Sequence, residues 1–597
     1  MTPQPLKRAL VISTRQFILS YFRQYRSLFL FGAGLIILTS LFGLAIPWLL
    51  KLGVDTLSDA QQRSSSLLAL YAGLLVLAAG LQTIARIASR LVIFGIGRDI
   101  ELDVRNQLLT HLQALPPEYY TGQSTGDIVS RASNDVSNLR LLYGPAVLNV
   151  INTGFVMISV VAVMLFIDVR LTLMALLPIP FVLLAIRRVA QLLSRQFFEV
   201  QQFLGRLSGH ISETFSGVLV VKAFAREQWA HDSFDEVNEE NFRRNMGLAR
   251  TRGLMIPMMG AIGGLGTFVI LLFGGYAVIE GRISLGDFVA FNGYLAMLVW
   301  PMLALGWVYT MIQRGMAAAH RITEILAAGT EIRDIDAPLD LPEGGGRLAL
   351  EHVTSVYQTG DHQRHVALDR VSMAIPAGAL VGITGPVGAG KSTLLRVLLR
   401  LQEFESGSIR FEGCDLRNLR IHDLRSAIGY VPQEPFLFSR SIEENIRFGY
   451  PGLTDEALRK CADIAGLAKD VAGFPEGYAT LVGERGVALS GGQRQRVALA
   501  RALARNPRLL LLDDALSAVD AETEEEIIAQ LGGFMRTRTN IVATHRLAGI
   551  RKADVIFVLD HGRIVETGTH PQLLRNRGLY ARLCERQQLV RQVEETQ

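Results

Sequence analysis

The sequence predicts two unlike halves in one chain: an all-α membrane half of six spanning helices with long cytoplasmic extensions, then a cytosolic α/β half of P-loop type. Three observations predict this. Of the 597 residues, 49% are hydrophobic and 19% charged, below the usual quarter of charged residues in a soluble chain. The apolar excess is concentrated before Arg314. After it come a glycine-rich turn, GPVGAGKS at 385–392, and an apolar run, LLLLDD at 509–514, that closes on two carboxylates.

Uncharged apolar runs occupy 28–50, 67–85, 141–167, 171–186, 253–279 and 288–313. A helix needs about 20 residues to cross a bilayer, so five of the runs suffice and the fourth is expected to continue past Arg187. Lys and Arg crowd 7–26, 86–105, 187–206, 222–252 and the segment after 314, which places those regions on the cytoplasmic side. The connections at 51–63, 168–170 and 280–282 are short and lightly charged. Both termini and the α/β half are therefore expected in the cytoplasm. The first run starts too late and is too long for a signal-peptide core, so it should remain as a membrane anchor. Before it, 14–25 mixes Phe17, Ile18, Leu19, Tyr21 and Phe22 with Arg15 and Arg23. This reads either as a helix lying on the membrane surface or as the start of the first span. The long stretches between the second and third and between the fourth and fifth runs exceed ordinary loops and are expected to be helices reaching into the cytoplasm.

In the second half, 380–384 reads as a buried strand leading into GPVGAGKS, with a helix expected over 393–401. Gly385, Gly388 and Gly390 let the backbone wrap phosphate oxygens. Lys391 brings charge to the β and γ phosphates, the Ser392 hydroxyl can ligate Mg²⁺, and Thr393 follows at the helix start. The N-terminus of that helix adds its dipole. At 489–493 the chain reads LSGGQ. Ser490, Gly491 and Gly492 offer a hydroxyl and close backbone approach ahead of a helix expected to begin near Gln493.

Together with Tyr357, Gln433 in VPQEPFLF, SAVD ending at Asp520 and His545 in ATHR, these motifs resemble the nucleotide-binding domain of ABC transporters. The resemblance covers 346–597. It implies ATP and Mg²⁺ as cofactors, with Tyr357 on the adenine, Ser392, Gln433 and Asp513 in the Mg²⁺ shell, and His545 at the γ-phosphate. Ser490, Gly491, Gly492 and Gln493 then serve the nucleotide of a second half-transporter, and Asp520 lies at that interface. The segments 116–127 and 211–224 resemble the two intracellular loops of the exporter branch. Gly483-Glu-Arg-Gly486 resembles the loop that receives their motion. The implied organisation is a transmembrane domain over 1–330, a linker over 331–345 rich in Asp, Pro and Gly, and the ATPase domain. A bacterial inner membrane is the expected location.

Asp514 departs from the family's common pattern, in which Glu follows the strand-end Asp and polarises the attacking water. The side chain is one methylene short, and a misplacement near 1 Å can cost on the order of a hundredfold in rate. The expectation is ATP binding with slow turnover at this site. In the family such a change is typical of one chain of a heterodimer with unequal ATP sites; an ordinary homodimer that tolerates Asp is the alternative.

The transported compound is expected to be hydrophobic or amphipathic, and the reading is ATP-driven export. An importer, or a regulatory subunit that binds ATP with little hydrolysis, are the competing readings. Gln82, Asn149, Asn152 and Asn292, with Met255, Met258 and Met259, lie in the apolar runs, where packing and helix bonding account for them better than ligand contact. Cys414, Cys461 and Cys584 all fall in the second half, which suits a reducing cytosol. The net charge of +5 is explained by cytoplasmic loops, and no nucleic-acid module is present.

Overall fold

The structure, a computed structural model, describes residues 13–58, 64–329, 332–358, 364–483, 489–519 and 521–596. It divides into two compact units: residues up to Gln113 with Gly126–Ala328, and Ala114–Thr125 with Gly329–Gln597.

Among the described residues, the first unit's regular elements are all helices. Thr14–Gln24 is a separate helix: Ser13 and Gln16 form a reciprocal capping box at its start, and the helix ends at Tyr25. Phe17, Ile18 and Tyr21 form its buried face, so this segment is distinct from the helix Arg26–Ser58. In the helix Ser65–Ala114, Ile93, Ile96, Ile100, Val104 and Leu108 are fully buried. Their three- and four-residue spacing puts them on one face, packed with Leu139, Tyr143 and Ile322. Residues Thr125–Ile167 run continuously with two π-helical stretches, Arg131–Asp135 and Leu142–Ala146. The second contains Pro145, which has no N–H to give the α-helical ladder.

Among the described residues, four helices are long and apolar enough to cross a membrane: Arg26–Ser58, Ser65–Ala114, Thr125–Ile167 and Leu285–Ala327. The fourth and fifth apolar runs sit on divided helices. Run 171–186 is split between Val169–Leu176 and Pro178–Ser216, because Pro178 starts a new helix more readily than it continues one. Run 253–279 is shared by the end of Glu227–Val269, a π-helical turn at Ile270–Gly274, and Gly275–Ile279.

Among the described residues, the second unit contains two sheets. Strands β1 (Leu348–Gln358), β2 (Arg364–Ile375), β4 (Ser406–Phe411) and β5 (Cys414–Asp415) form an antiparallel sheet in the order β2-β1-β4-β5. The other sheet is ordered β10-β9-β3-β8-β7-β6, from β3 (Leu380–Thr384), β6 (Ile428–Val431), β7 (Leu509–Asp513), β8 (Thr539–Ala543), β9 (Val555–Asp560) and β10 (Arg563–Gly568). Its pairs are parallel except β9 with β10. β7 is buried along its whole length, as an unbroken apolar run in a covered parallel sheet must be. β8 pairs with β3 through Ile383–Ala543 and with β7 through Asp513–Ala543. The carboxyl ends of β3 and β7 thus open at one edge, where ligands bind in such sheets.

The segment after residue 331 is docked rather than a free tether. The Ile421 N–H donates to Asp334 at 2.7 Å, Leu339 N–H to the Asn418 carbonyl at 2.8 Å, and Arg508 to the Pro342 carbonyl at 2.6 Å.

Candidate nucleotide site

β3 delivers GPVGAGKS into a turn whose glycines are demanded by the backbone. Gly385, Gly388 and Gly390 have φ of 150, 81 and 99°, a region that side chains avoid. A Cβ at Gly385 would stand 2.0 Å from the Leu559 carbonyl oxygen, and one at Gly390 2.5 Å from that of Ala367. The helix after the turn is Lys391–Leu398. It starts two residues earlier than expected and stops short of Arg400, which adopts φ 48°. Thr393 lies part-buried in its first turn.

Lys391 Nζ donates to the carbonyls of Gly385 and Pro386 at 2.8 and 2.9 Å, which folds the ammonium over the turn. Burial lowers its pKa, while the carboxylates of Asp514 and Asp513 oppose that shift. Ser392 Oγ donates to Asp513 Oδ1 at 2.9 Å. Burial raises the Asp513 pKa against the Ser392 bond and the cations Arg396 and Lys391. Two hard oxygens this close, beside an anion cradle, fit Mg²⁺, which prefers a few protein oxygens completed by phosphate and water. In the ATP-bound state the ion would supply charge neutralisation at the β and γ phosphates.

Asp514 stands outside β7 with φ 48° and is buried. Its N–H donates to the Ala543 carbonyl at 2.7 Å, and Thr544 Oγ1 donates to its Oδ1 at 3.0 Å. His545 Nδ1 lies 2.8 Å from Oδ2. Oδ2 is buried and makes no hydrogen bond. The carboxylate is therefore held by the turn that follows β8, where Thr544 and His545 lie.

Tyr357 stacks on His365 at 5.6 Å and 26°. Ala367, two residues beyond His365, abuts Gly390, and the Tyr357 side chain is exposed. Gln433 is exposed in the loop after β6, and its carbonyl accepts from Gln495 Nε2 at 3.4 Å.

Ser490 caps the helix Gly491–Ala504, two residues ahead of the expected start, in a capping box with Gln493. Gln493 Nε2 donates to Asp470 at 3.1 Å. Gly491 and Gly492 lie against Ala518: added Cβ atoms would stand 3.2 Å from its Cβ and 2.8 Å from its carbonyl oxygen. Asp520 and residues 484–488, which include most of the coupling-loop motif, lie outside the described residues.

Two further residues organise these loops. Gln495, 3% exposed, donates to Ser517 Oγ at 3.0 Å and to the Gln433 carbonyl, and accepts from the Ala518 N–H at 3.0 Å. Arg546 donates to the carbonyls of Leu516, Ser517 and Val519 and to Glu524. Gln495 stands two residues after Gln493 and could have been noticed as a second amide; nothing local marks Arg546.

A parallel sheet with a phosphate cradle and a metal-competent Ser–Asp pair at its carboxyl edge, joined to apolar helices of membrane length, defines a membrane-anchored P-loop ATPase. Residues 29–302 match the ABC transporter transmembrane region and residues 368–517 the ABC transporter family. The chain is 37% identical over 498 residues to the probable multidrug resistance ABC transporter ATP-binding/permease protein YheI of Bacillus subtilis, covering 83% of this chain and 84% of that protein. It is 34% identical to the multidrug resistance-like ATP-binding protein MdlA of Escherichia coli, covering 95% and 96%. A solved bacterial Atm1-family ABC exporter with ATP bound superposes with a TM-score of 0.74 at 27% identity, covering 94% of this chain and 98% of that one. The chain belongs to the ABC transporter family, as an exporter-type half-transporter whose ATPase is coupled to transport.

Proposed function

We propose that the chain is one half of a heterodimeric exporter that moves a hydrophobic or amphipathic small molecule outward by alternating access, with its own ATP site impaired in hydrolysis. The observation that carries this reading is the hold on Asp514. A general base must come within about 2.6–3.2 Å of the proton it orders. Here the shorter carboxylate has Oδ1 committed to Thr544 and Oδ2 beside His545.

In this reading Tyr357 stacks on adenine, the P-loop holds the phosphates, and Ser392, Asp513 and Gln433 hold Mg²⁺. His545 donates to the γ-phosphate. Ser490–Gln493 completes the partner's site, whose catalytic Glu drives most of the turnover, and Asp520 lies at the dimer interface. The membrane half spans six times, its fourth and fifth spans formed by the divided helices, with both termini and the ATPase cytoplasmic in the inner membrane. The names of the bacterial relatives, two of them tied to multidrug resistance, support an amphipathic substrate.

The test is the intact mass of the complex purified from its native membrane in mild detergent. One copy of this chain with a second, Glu-bearing chain is the expected result. Two copies of this chain alone would overturn the heterodimer.

A further inference from the structure

The C-terminal helix reaches back to the loop that carries His545. Its first turns are locked in place: Tyr580 is fully buried with its hydroxyl 2.8 Å from His570 Nδ1, and the N–H groups of Leu579 and Tyr580 both donate to Glu566. Tyr580 and Cys584 share a core with Leu547, Ile550, Ala553, Ile556 and Val558. Positions 580, 584 and 587 fall on one helical face, so the same face that buries Tyr580 and Cys584 presents Gln587 to the turn after β8. There one amide makes two bonds of opposite sense. Gln587 Oε1 accepts from the Leu547 N–H at 3.0 Å, and Gln587 Nε2 donates to the His545 carbonyl. Leu547 begins the short 3-10 turn Leu547–Ile550. One amide thus ties the His545 carbonyl to the Leu547 N–H across the turn, while the His545 ring lies beside Asp514.

We propose that Gln587 is a positioning residue for His545, through which docking of the C-terminal helix sets how well the chain distinguishes ATP from ADP. The proposal rests on the reading of His545 as the γ-phosphate contact. A side chain that meets only the γ-phosphate discriminates between the nucleotides in proportion to how firmly it is aimed, and an amide clamp on its own backbone lowers the cost of holding that aim. Gln587 itself lies outside every phosphate-binding motif of the chain.

The experiment titrates MgATP and MgADP on the intact complex for the wild type, Gln587→Ala, Gln587→Glu, His545→Ala and the His545→Ala/Gln587→Ala double variant. Hydrogen exchange is followed at the amides of 546–550. Gln587→Glu keeps an acceptor for the Leu547 N–H but faces the His545 carbonyl with no donor, so it should behave like Gln587→Ala. The expected result is ATP binding weakened about three- to tenfold, the size expected for neutral hydrogen bonds, ADP binding changed less than about twofold by the same reasoning, and faster exchange at 546–550. In the His545→Ala background, Gln587→Ala should add nothing. Equal weakening of both nucleotides, or no change in either, would overturn the proposal. If His545→Ala itself leaves the preference for ATP intact, the γ-phosphate reading falls and the clamp's function with it. If only Gln587→Ala leaves it intact, that reading stands and the clamp alone is refuted.

Discussion

Ser392 Oγ and Asp513 Oδ1 meet at 2.9 Å across the edge of the sheet, one from the helix after the P-loop and the other from the end of β7. They are 121 positions apart in the chain. Burial holds the Asp513 carboxyl above its ordinary range, and Mg²⁺ requires it ionised. Mg²⁺ affinity should therefore begin to fall, on acidification, at a higher pH than for an exposed Asp. Without Mg²⁺ the sign for stability is opposite: the native state holds this proton more tightly than the unfolded chain, so stability is lost as pH rises through the raised value. Thermal melts with and without Mg²⁺ across pH measure both. Asp513→Asn should abolish the difference between them.

Asp514→Glu should raise ATP turnover of the intact complex. The added methylene extends the carboxylate beyond the grip of Thr544, and correct placement of a base is worth about 10²–10⁴-fold. Phosphate release at saturating ATP is the measurement, and an unchanged rate would show that another group limits this site.

Gly385→Ala and Gly388→Ala should separate packing from backbone strain. Both have positive φ, which costs a side chain roughly 1–2 kcal/mol. The Cβ at 385 also meets a carbonyl at 2.0 Å, whereas nothing lies within 4 Å at 388. Gly385→Ala is expected to lower the melting temperature of the complex severely, and Gly388→Ala only modestly.

Arg321 and Asp135 form a bidentate pair in the membrane half, with Arg321 Nε donating at 2.7 Å, and the Asp135 side chain is 6% exposed. Arg321→Ala leaves that carboxylate buried without its cation and should cost about 1–3 kcal/mol. The partner change Asp135→Asn should restore part of the loss. A double-mutant cycle on detergent-solubilised melting temperatures checks this.

Much of this molecule could be read along the chain because its signals are local. The turn GPVGAGKS needs only its own glycines to declare a cradle, and β3 falls at the expected residues 380–384 because a covered parallel strand is apolar throughout. The start of the signature helix was misread by two residues because Ser490, not Gln493, supplies the cap. The docked linker was less legible: Asp334 and Pro342 read as tether composition, yet their bonds to Ile421 and Arg508 are long-range. The divided fourth run shows a related limit. Apolar length was plain, but Pro178 set where one helix ended and the next began.

The sequence alone determined that the chain carries an ATP-binding ABC domain, a shortened carboxylate at 514 and apolar helices of membrane length. Each of these depends on residue type and short spacing. Only the tertiary structure decided what grips that carboxylate, how Gln495 and Arg546 tie the loops together, and that Gln587 closes on His545 from 42 positions away. Such contacts are chosen by how strands and helices stack, and stacking brings together residues whose separation in sequence carries no signal.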